Sequence, residues 1–165
     1  MTEIPKHDSM RGEFAYQLYQ KMLVNKDVWL LTADLGWGMW DHVMRDFPER
    51  AISVGAAEQS MLGIAVGLAL EGKVPFTYTI SSFYLRAAET IGLYLHNEQV
   101  SVKLVGSGRD NDYRHDGPSH DATLAQNYLG SLNLEQHYPQ TKEEIPDMVE
   151  EMIKNGKPSF ISLKR

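Results

Sequence analysis

The run Val28-Trp29-Leu30-Leu31-Thr32-Ala33 is apolar almost throughout, and nothing else in the chain narrows its fold as much. A strand with one wet face alternates apolar and polar residues. A continuous apolar run of this length marks a strand covered on both faces, which is the habit of parallel sheets flanked by helices. The rest of the sequence has to supply the covering.

It does so in alternation. Residues 11–25 carry Phe14, Leu18, Met22 and Leu23 on one face and predict a helix before this strand. A glycine-rich loop follows over residues 34–40, then a short helix over 41–47 that Pro48 stops. Residues 51–54 predict a second strand, leading into a helix from Glu58 that ends at Gly72. Strands are predicted over 75–80 and 100–105, with a helix over 83–97 between them. A long polar loop occupies 106–120, as functional loops often do. A short helix over 121–129 and a strand over 132–136 come next. Thr141-Lys142-Glu143-Glu144 is a capping-box pattern that opens a helix to about residue 155, provided Pro146 falls in its first turns; residues 158–163 close the chain as a strand. This order predicts an α/β domain: a single open, mostly parallel sheet with helices on both faces. Ligands of such sheets bind beyond the carboxyl ends of the strands, where the loops meet.

Composition excludes several functions. At 165 residues the chain is read as one domain, 1–165, able to bury a core without staples. A formal charge of −6, with no basic block, argues against nucleic acid and anionic membranes. With no cysteine there is neither a disulfide frame nor a thiolate metal site, and the six histidines show no paired spacing, so no metal is expected on this chain. No segment resembles a leader or a membrane span, and a cytoplasmic protein is expected.

One acid is out of place. Glu58 opens the helix whose Met61, Leu62, Ala65, Val66, Leu68 and Ala69 recur at core spacing, and small or apolar residues precede it. A carboxylate there loses hydration while lying near the positive end of the helix dipole. Glu58 either completes a helix start or is held there for chemistry.

The segments around it favour chemistry. Gly55-x-x-Glu58-Gln59-x-Met61-x-Gly63-x-Ala65-x-Gly67-Leu68-Ala69, then Ser81-Ser82-Phe83, then Asp116-Gly117-Pro118-Ser119-His120, resemble in order and spacing the pyrimidine-binding domain of transketolase-like thiamine diphosphate enzymes. The resemblance runs from about residue 11 to 165 and implies the pyrimidine-type thiamine diphosphate-binding fold. It implies that Glu58 exchanges a proton with the cofactor's aminopyrimidine ring nitrogen, and that Phe83 stacks on that ring. Asp34 and Leu35 would lie against the cofactor, although Asp34 equally suits capping a turn. His120 and Asp116 would contact substrate. His115 stands where an acid is usual, which changes the local charge. Arg11 and Arg165 match positions that hold a sugar phosphate, whereas Gly38 and Gly108 replace two further phosphate contacts, with Trp37, Trp40 and Arg109 nearby. Arg86 falls where deoxyxylulose phosphate synthases carry an Arg, and it either contacts substrate or pairs with Glu89.

The sequence has no Gly-Asp-Gly, the mark of the family's diphosphate-binding domain. The resemblance therefore implies that diphosphate and Mg²⁺ are held by a separately encoded subunit, in a dimer of heterodimers, with a homodimer contact also open. The reaction it implies is transfer of a two-carbon or acyl unit from a ketose or 2-oxo acid to an aldehyde. The alternatives are a decarboxylating relative, in the style of deoxyxylulose phosphate synthase or a 2-oxoacid dehydrogenase component, and a non-catalytic assembly module.

Overall fold

The computed structural model describes residues 8–165; residues 1–7 of the expected 1–165 domain lie outside it. Six strands, β1 (Val28–Thr32), β2 (Ala51–Ser53), β3 (Val74–Ile80), β4 (Lys103–Ser107), β5 (Glu135–His137) and β6 (Ser159–Leu163), form one sheet in the order β2-β1-β3-β4-β6-β5. Every pairing is parallel. The continuous apolar run expected to be a doubly covered strand is β1, the second strand from one side, and Val28, Leu30 and Leu31 are fully buried.

Two apolar layers sandwich the sheet. On one face α1 (Met10–Val24), α2 (Asp41–Asp46) and α6 (Ile145–Lys154) bury Phe14, Leu18, Met22, Val43, Val149 and Met152 against Leu30, Phe76, Val105 and Ile161. On the other, α3 (Glu58–Leu70), a helical run over residues 81–97 and α5 (Thr123–Gly130) bury Met61, Leu62, Tyr84, Ile91, Leu95 and Leu129 against Leu31, Leu104 and Phe160. Covering both faces is what lets the strands dispense with alternation.

Three elements depart from the expected boundaries. The helix expected over 83–97 begins earlier and is irregular: a 3-10 stretch Ser81–Ala87, one α turn Ala88–Thr90 and a π stretch Ile91–Asn97, which is counted here as α4. Its start is tied sideways, because Ser81 Oγ donates to Gly108 O at 2.6 Å and Ser82 Oγ to Ser119 O at 2.9 Å. The strand expected at 100–105 runs instead from Lys103 to Ser107. Lys103 belongs in it, fully buried, because its Nζ reaches Asn155 Oδ1 at 2.9 Å and the carbonyl of Lys157. Gly106 also belongs in it, since a Cβ there would meet Ser81 Oγ at 2.4 Å. Finally, the strand expected at 132–136 is reduced to Glu135–His137. The α3 helix is covered on one side only: Gly63, Ile64, Gly67 and Leu70 face out.

Candidate active site at the carboxyl ends of the strands

The chain reverses after β1, β2, β3 and β4 at the same end of the sheet, and the residues singled out in the sequence follow those reversals. The β2–α3 turn, with Gly55 at φ 69°, delivers Glu58 to the first position of α3. Its carboxylate is 2% exposed. Ala57, at the cap, offers no side-chain bond, so the carboxylate itself supplies negative charge to the first turn of the helix.

The partner of Glu58 is Arg86, whose Nη1 donates to Oε1 at 2.7 Å. Arg86 thus pairs across to α3 rather than with Glu89 on its own helix. The same guanidinium lies over the Phe83 ring, with Cζ 3.9 Å from the centroid, and its side chain keeps 51% of its exposure. On Phe83 stands His120, edge to face, with centroids 5.0 Å apart. The Ser119 hydroxyl lies 3.0 Å from His120 Nδ1, which leaves Nε2 for a ligand. Glu58, Arg86, Phe83 and His120 therefore form one continuous row of contacts drawn from three elements.

A second group adjoins it through Tyr113, whose ring is 6.3 Å from that of His120. The buried Tyr113 hydroxyl accepts from Arg11 Nη1 at 2.8 Å and lies 2.8 Å from Ser107 Oγ. Arg165 covers the Tyr113 ring at 5.3 Å and places Nη1 at 2.9 Å from His115 Nε2, which in turn stands 3.2 Å from Asp116 Oδ2. Arg11 and Arg165 thus converge on one tyrosine that the sequence reading had passed over, because a lone Tyr in a polar loop carries no pattern. Its signal is Gly108: φ is 82°, and a Cβ there would collide with the Tyr113 ring at 2.4 Å. The glycine that replaces an expected phosphate contact makes room for Tyr113.

Not every nominated residue joins these groups. Asp34 is exposed with φ 47°, a left-handed conformation that Asp tolerates in turns, and its side chain has no contact with Glu58 or Phe83 among those described. Leu35 is held by its carbonyl, which accepts from Thr32 Oγ1 at 2.7 Å. With Arg11, Trp37, Gly38 and Tyr78 it lines a cavity of about 240 Å³. Arg11 Nε is buried and has no hydrogen-bond partner among the described residues. Burial pushes the Tyr78 phenol up to about 12. Of the residues expected near this pocket, Trp37 is 82% exposed while Trp40 is in the core. Arg109 faces inward, bonded to Ser162 and over the Tyr138 ring at 5.6 Å, and burial pushes its pKa down.

The described residues also place Glu135, His137 and Glu151 together, with one ligand atom from each within 4.8 Å of the others, although no metal set had been expected on this chain. Glu135 and His137 lie on β5, at the opposite edge of the sheet from β2, and Glu151 lies on α6. No described helix is long and apolar enough to cross a membrane.

The aminopyrimidine of the expected cofactor fits the first group: a buried carboxylate for a ring nitrogen, and an aromatic face, both now engaged by a planar cation that is itself half exposed. Comparison with known proteins places the whole described chain in one family. The profile of the family "Transketolase, pyrimidine binding domain" matches residues 8–165. A 1-deoxy-D-xylulose-5-phosphate synthase of Syntrophus aciditrophicus (strain SB) is 34% identical over 123 residues, 73% of this chain and 18% of that protein. The 6-deoxy-6-sulfo-D-fructose transketolase subunit SqwH of Clostridium sp. (strain MSTE9) is 30% identical over 126 residues, 73% of this chain and 38% of that protein. The chain thus spans less than half the length of these curated relatives. A solved structure described as "Split gene transketolase, inactive beta4 tetramer" superposes with a TM-score of 0.82 at 26% identity, covering 95% of this chain and 52% of that one. Sheet order, site and profile lead to one assignment: the chain belongs to the transketolase pyrimidine-binding domain family.

Proposed function

We propose that this chain is the pyrimidine-binding part of a thiamine diphosphate-dependent transferase of the transketolase kind. It would act with a diphosphate-binding subunit that holds Mg²⁺, as a cytoplasmic dimer of heterodimers. The observation that carries the reading is the buried Glu58 carboxylate in line with Phe83 and His120. A module that only assembled would have no use for a carboxylate kept dry at that position. Subunit names among the relatives, and the split-gene structure, support a second polypeptide.

When bound, thiamine diphosphate supplies a thiazolium carbon that stabilises a carbanion. The chain's own residues do the rest. Glu58 holds and exchanges a proton at the aminopyrimidine ring nitrogen. Phe83 offers its face to the ring, and Asp34 and Leu35 border the cofactor from the β1 loop. Arg86 has to leave both Glu58 and Phe83 for the ring to enter, and its half-exposed side chain has room to turn outward. His120 and Asp116 then orient the substrate hydroxyls, while the guanidinium groups of Arg11 and Arg165 receive an anionic end.

The second reading, a decarboxylating synthase, is favoured by one observation, the place of Arg86 against Glu58 and Phe83, together with the synthases among the relatives. Released Arg86 would then bind a 2-oxo acid carboxylate. Carbon dioxide from pyruvate selects this reading; turnover of a ketose without it selects the first.

The test is thiamine diphosphate titration with Mg²⁺. The isolated chain binds weakly or not at all, and the chain joined to its diphosphate-binding subunit binds tightly. Glu58→Gln keeps fold and assembly but lowers turnover by about 10²–10⁴ with every donor. Tight binding by the isolated chain would overturn the two-subunit reading, and undiminished turnover in Glu58→Gln would overturn the role of Glu58.

A further inference from the structure

The outermost strand, β5, is three residues long and hydrogen-bonds to a neighbour, β6, on one side only. Its register aligns Glu135 with Ser159, which aligns in turn with Lys103, and His137 with Ile161. Ile161 belongs to the apolar layer that α6 covers, so by the two-residue period of strands Glu135 and His137 both face α6. From α6 comes Glu151, and one ligand atom from each of the three residues lies within 4.8 Å of the others.

Two details set this cluster apart from an ordinary group of surface acids. His137 is 6% exposed, yet its buried Nε2 has no hydrogen-bond partner. Buried imidazole nitrogens are normally bonded, so an incompletely bonded His137 ring, one of whose nitrogens lies within 4.8 Å of a carboxylate oxygen of Glu135 and of Glu151, calls for an occupant. The Glu135 carboxylate is also oriented from behind: Asn155 Nδ2 donates to Oε2, which leaves Oε1 free. The nearby Lys103 ammonium is taken up by Asn155 Oδ1 and the Lys157 carbonyl rather than by Glu135. Supporting bonds of this kind hold ligands in place around protein-bound metals.

We propose that Glu135, His137 and Glu151 form a site for one divalent cation of the zinc class, which clips the edge strand β5 to α6. Two carboxylates balance the dication, and an imidazole selects zinc-like ions over magnesium or calcium, which prefer oxygen alone. Water completes the coordination. Ligands around tetrahedral zinc stand about 3.4 Å apart, so from separations of up to 4.8 Å the set must contract by at most about 1.4 Å. Glu151, exposed and on a long side chain, makes that adjustment. The site is remote from Glu58 and is independent of the function proposed above.

The test uses the full chain, stripped with a chelator and titrated calorimetrically with zinc chloride, with cobalt(II) absorption as a second probe. One saturable equivalent is expected, with affinity at least about tenfold weaker in His137→Gln and in Glu151→Gln. Zinc should raise the melting temperature of the wild-type chain by more than it raises that of Glu151→Gln at the same concentration. Glu151 is exposed, so that variant folds whatever His137→Gln does. Absence of a one-equivalent event in the wild type overturns the proposal, as does weakening of less than tenfold in Glu151→Gln.

Discussion

A guanidinium and an aminopyrimidine share a shape: both are flat, both carry hydrogen-bond donors in their plane, and both can lie on a phenyl ring. Arg86 uses that likeness, lying on Phe83 at 3.9 Å while donating to Glu58 at 2.7 Å. Ion pairs with one exposed member contribute at most about 1 kcal/mol, which corresponds to roughly fivefold in an equilibrium. Replacing Arg86 by Met should therefore tighten thiamine diphosphate binding by the assembled enzyme two- to fivefold, read by calorimetry. Unchanged or weaker binding would mean that Arg86 helps to hold the cofactor rather than keeping its place. The sequence placed Arg86 near the site, but its partner could not be read. Glu89 is three residues away on the same helix, whereas Glu58 reaches it only after α3 and the 81–97 helix pack on the same face of the sheet. Tyr113 was illegible for a similar reason, since what marks it is a steric vacancy at Gly108 on another segment.

At the scale of elements, the type of each was plain from apolar periodicity, and the boundaries that failed did so where side chains bond across the sheet. β4 begins at a lysine, which no apolar rule would admit, because Asn155 and Lys157 satisfy its ammonium. Burial still holds that ammonium down to about 8. The 81–97 helix is 3-10 where Ser81 and Ser82 bond to the 108–120 loop, and turns to π geometry only over Ile91–Asn97. By contrast the capping box before α6 was legible, although the helix it opens runs first as a 3-10 turn, Lys142–Glu144, and α6 itself begins at Ile145. The capping box at Thr141 and Glu144 is present, with Thr141 N donating to Glu144 Oε1 at 3.1 Å, and Pro146 falls in the first turn. Thr141→Ala should cost about 1 kcal/mol in urea denaturation and leave the site untouched. A cost near zero would show that the 3-10 turn before α6 caps it unaided.

The whole molecule carries a pH signature in its buried phenols. Burial raises Tyr78 to about 12 and Tyr84 further. Unfolded, both ionise near their ordinary value of about 10. Between these values the folded chain keeps protons that the unfolded chain sheds, so their contribution to stability is complete below pH 10 and is lost as pH rises towards 12. Urea midpoints should therefore fall steeply from pH 10 upward, and phenolate absorbance from these two tyrosines should appear only with unfolding. A Tyr78→Phe chain should lose part of that slope; an unaltered slope would show that Tyr78 ionises without unfolding.

The strand order has a further consequence, for the making of the protein rather than its action. β6, the last described strand, lies between β4 and β5, and β5 pairs with no other strand among the described residues. While the chain is being synthesised, β5 is made before its partner β6 exists, and β4, made earlier still, presents an open backbone edge for longer. No hairpin anywhere in this all-parallel sheet offers a local start. The sheet is completed from the inside, by a late arrival sliding between two strands that are already made. Until then its most exposed seam is also where the Lys103, Asn155 and Glu135 network has yet to form, and the nascent chain is at its most vulnerable there to pairing with a neighbour.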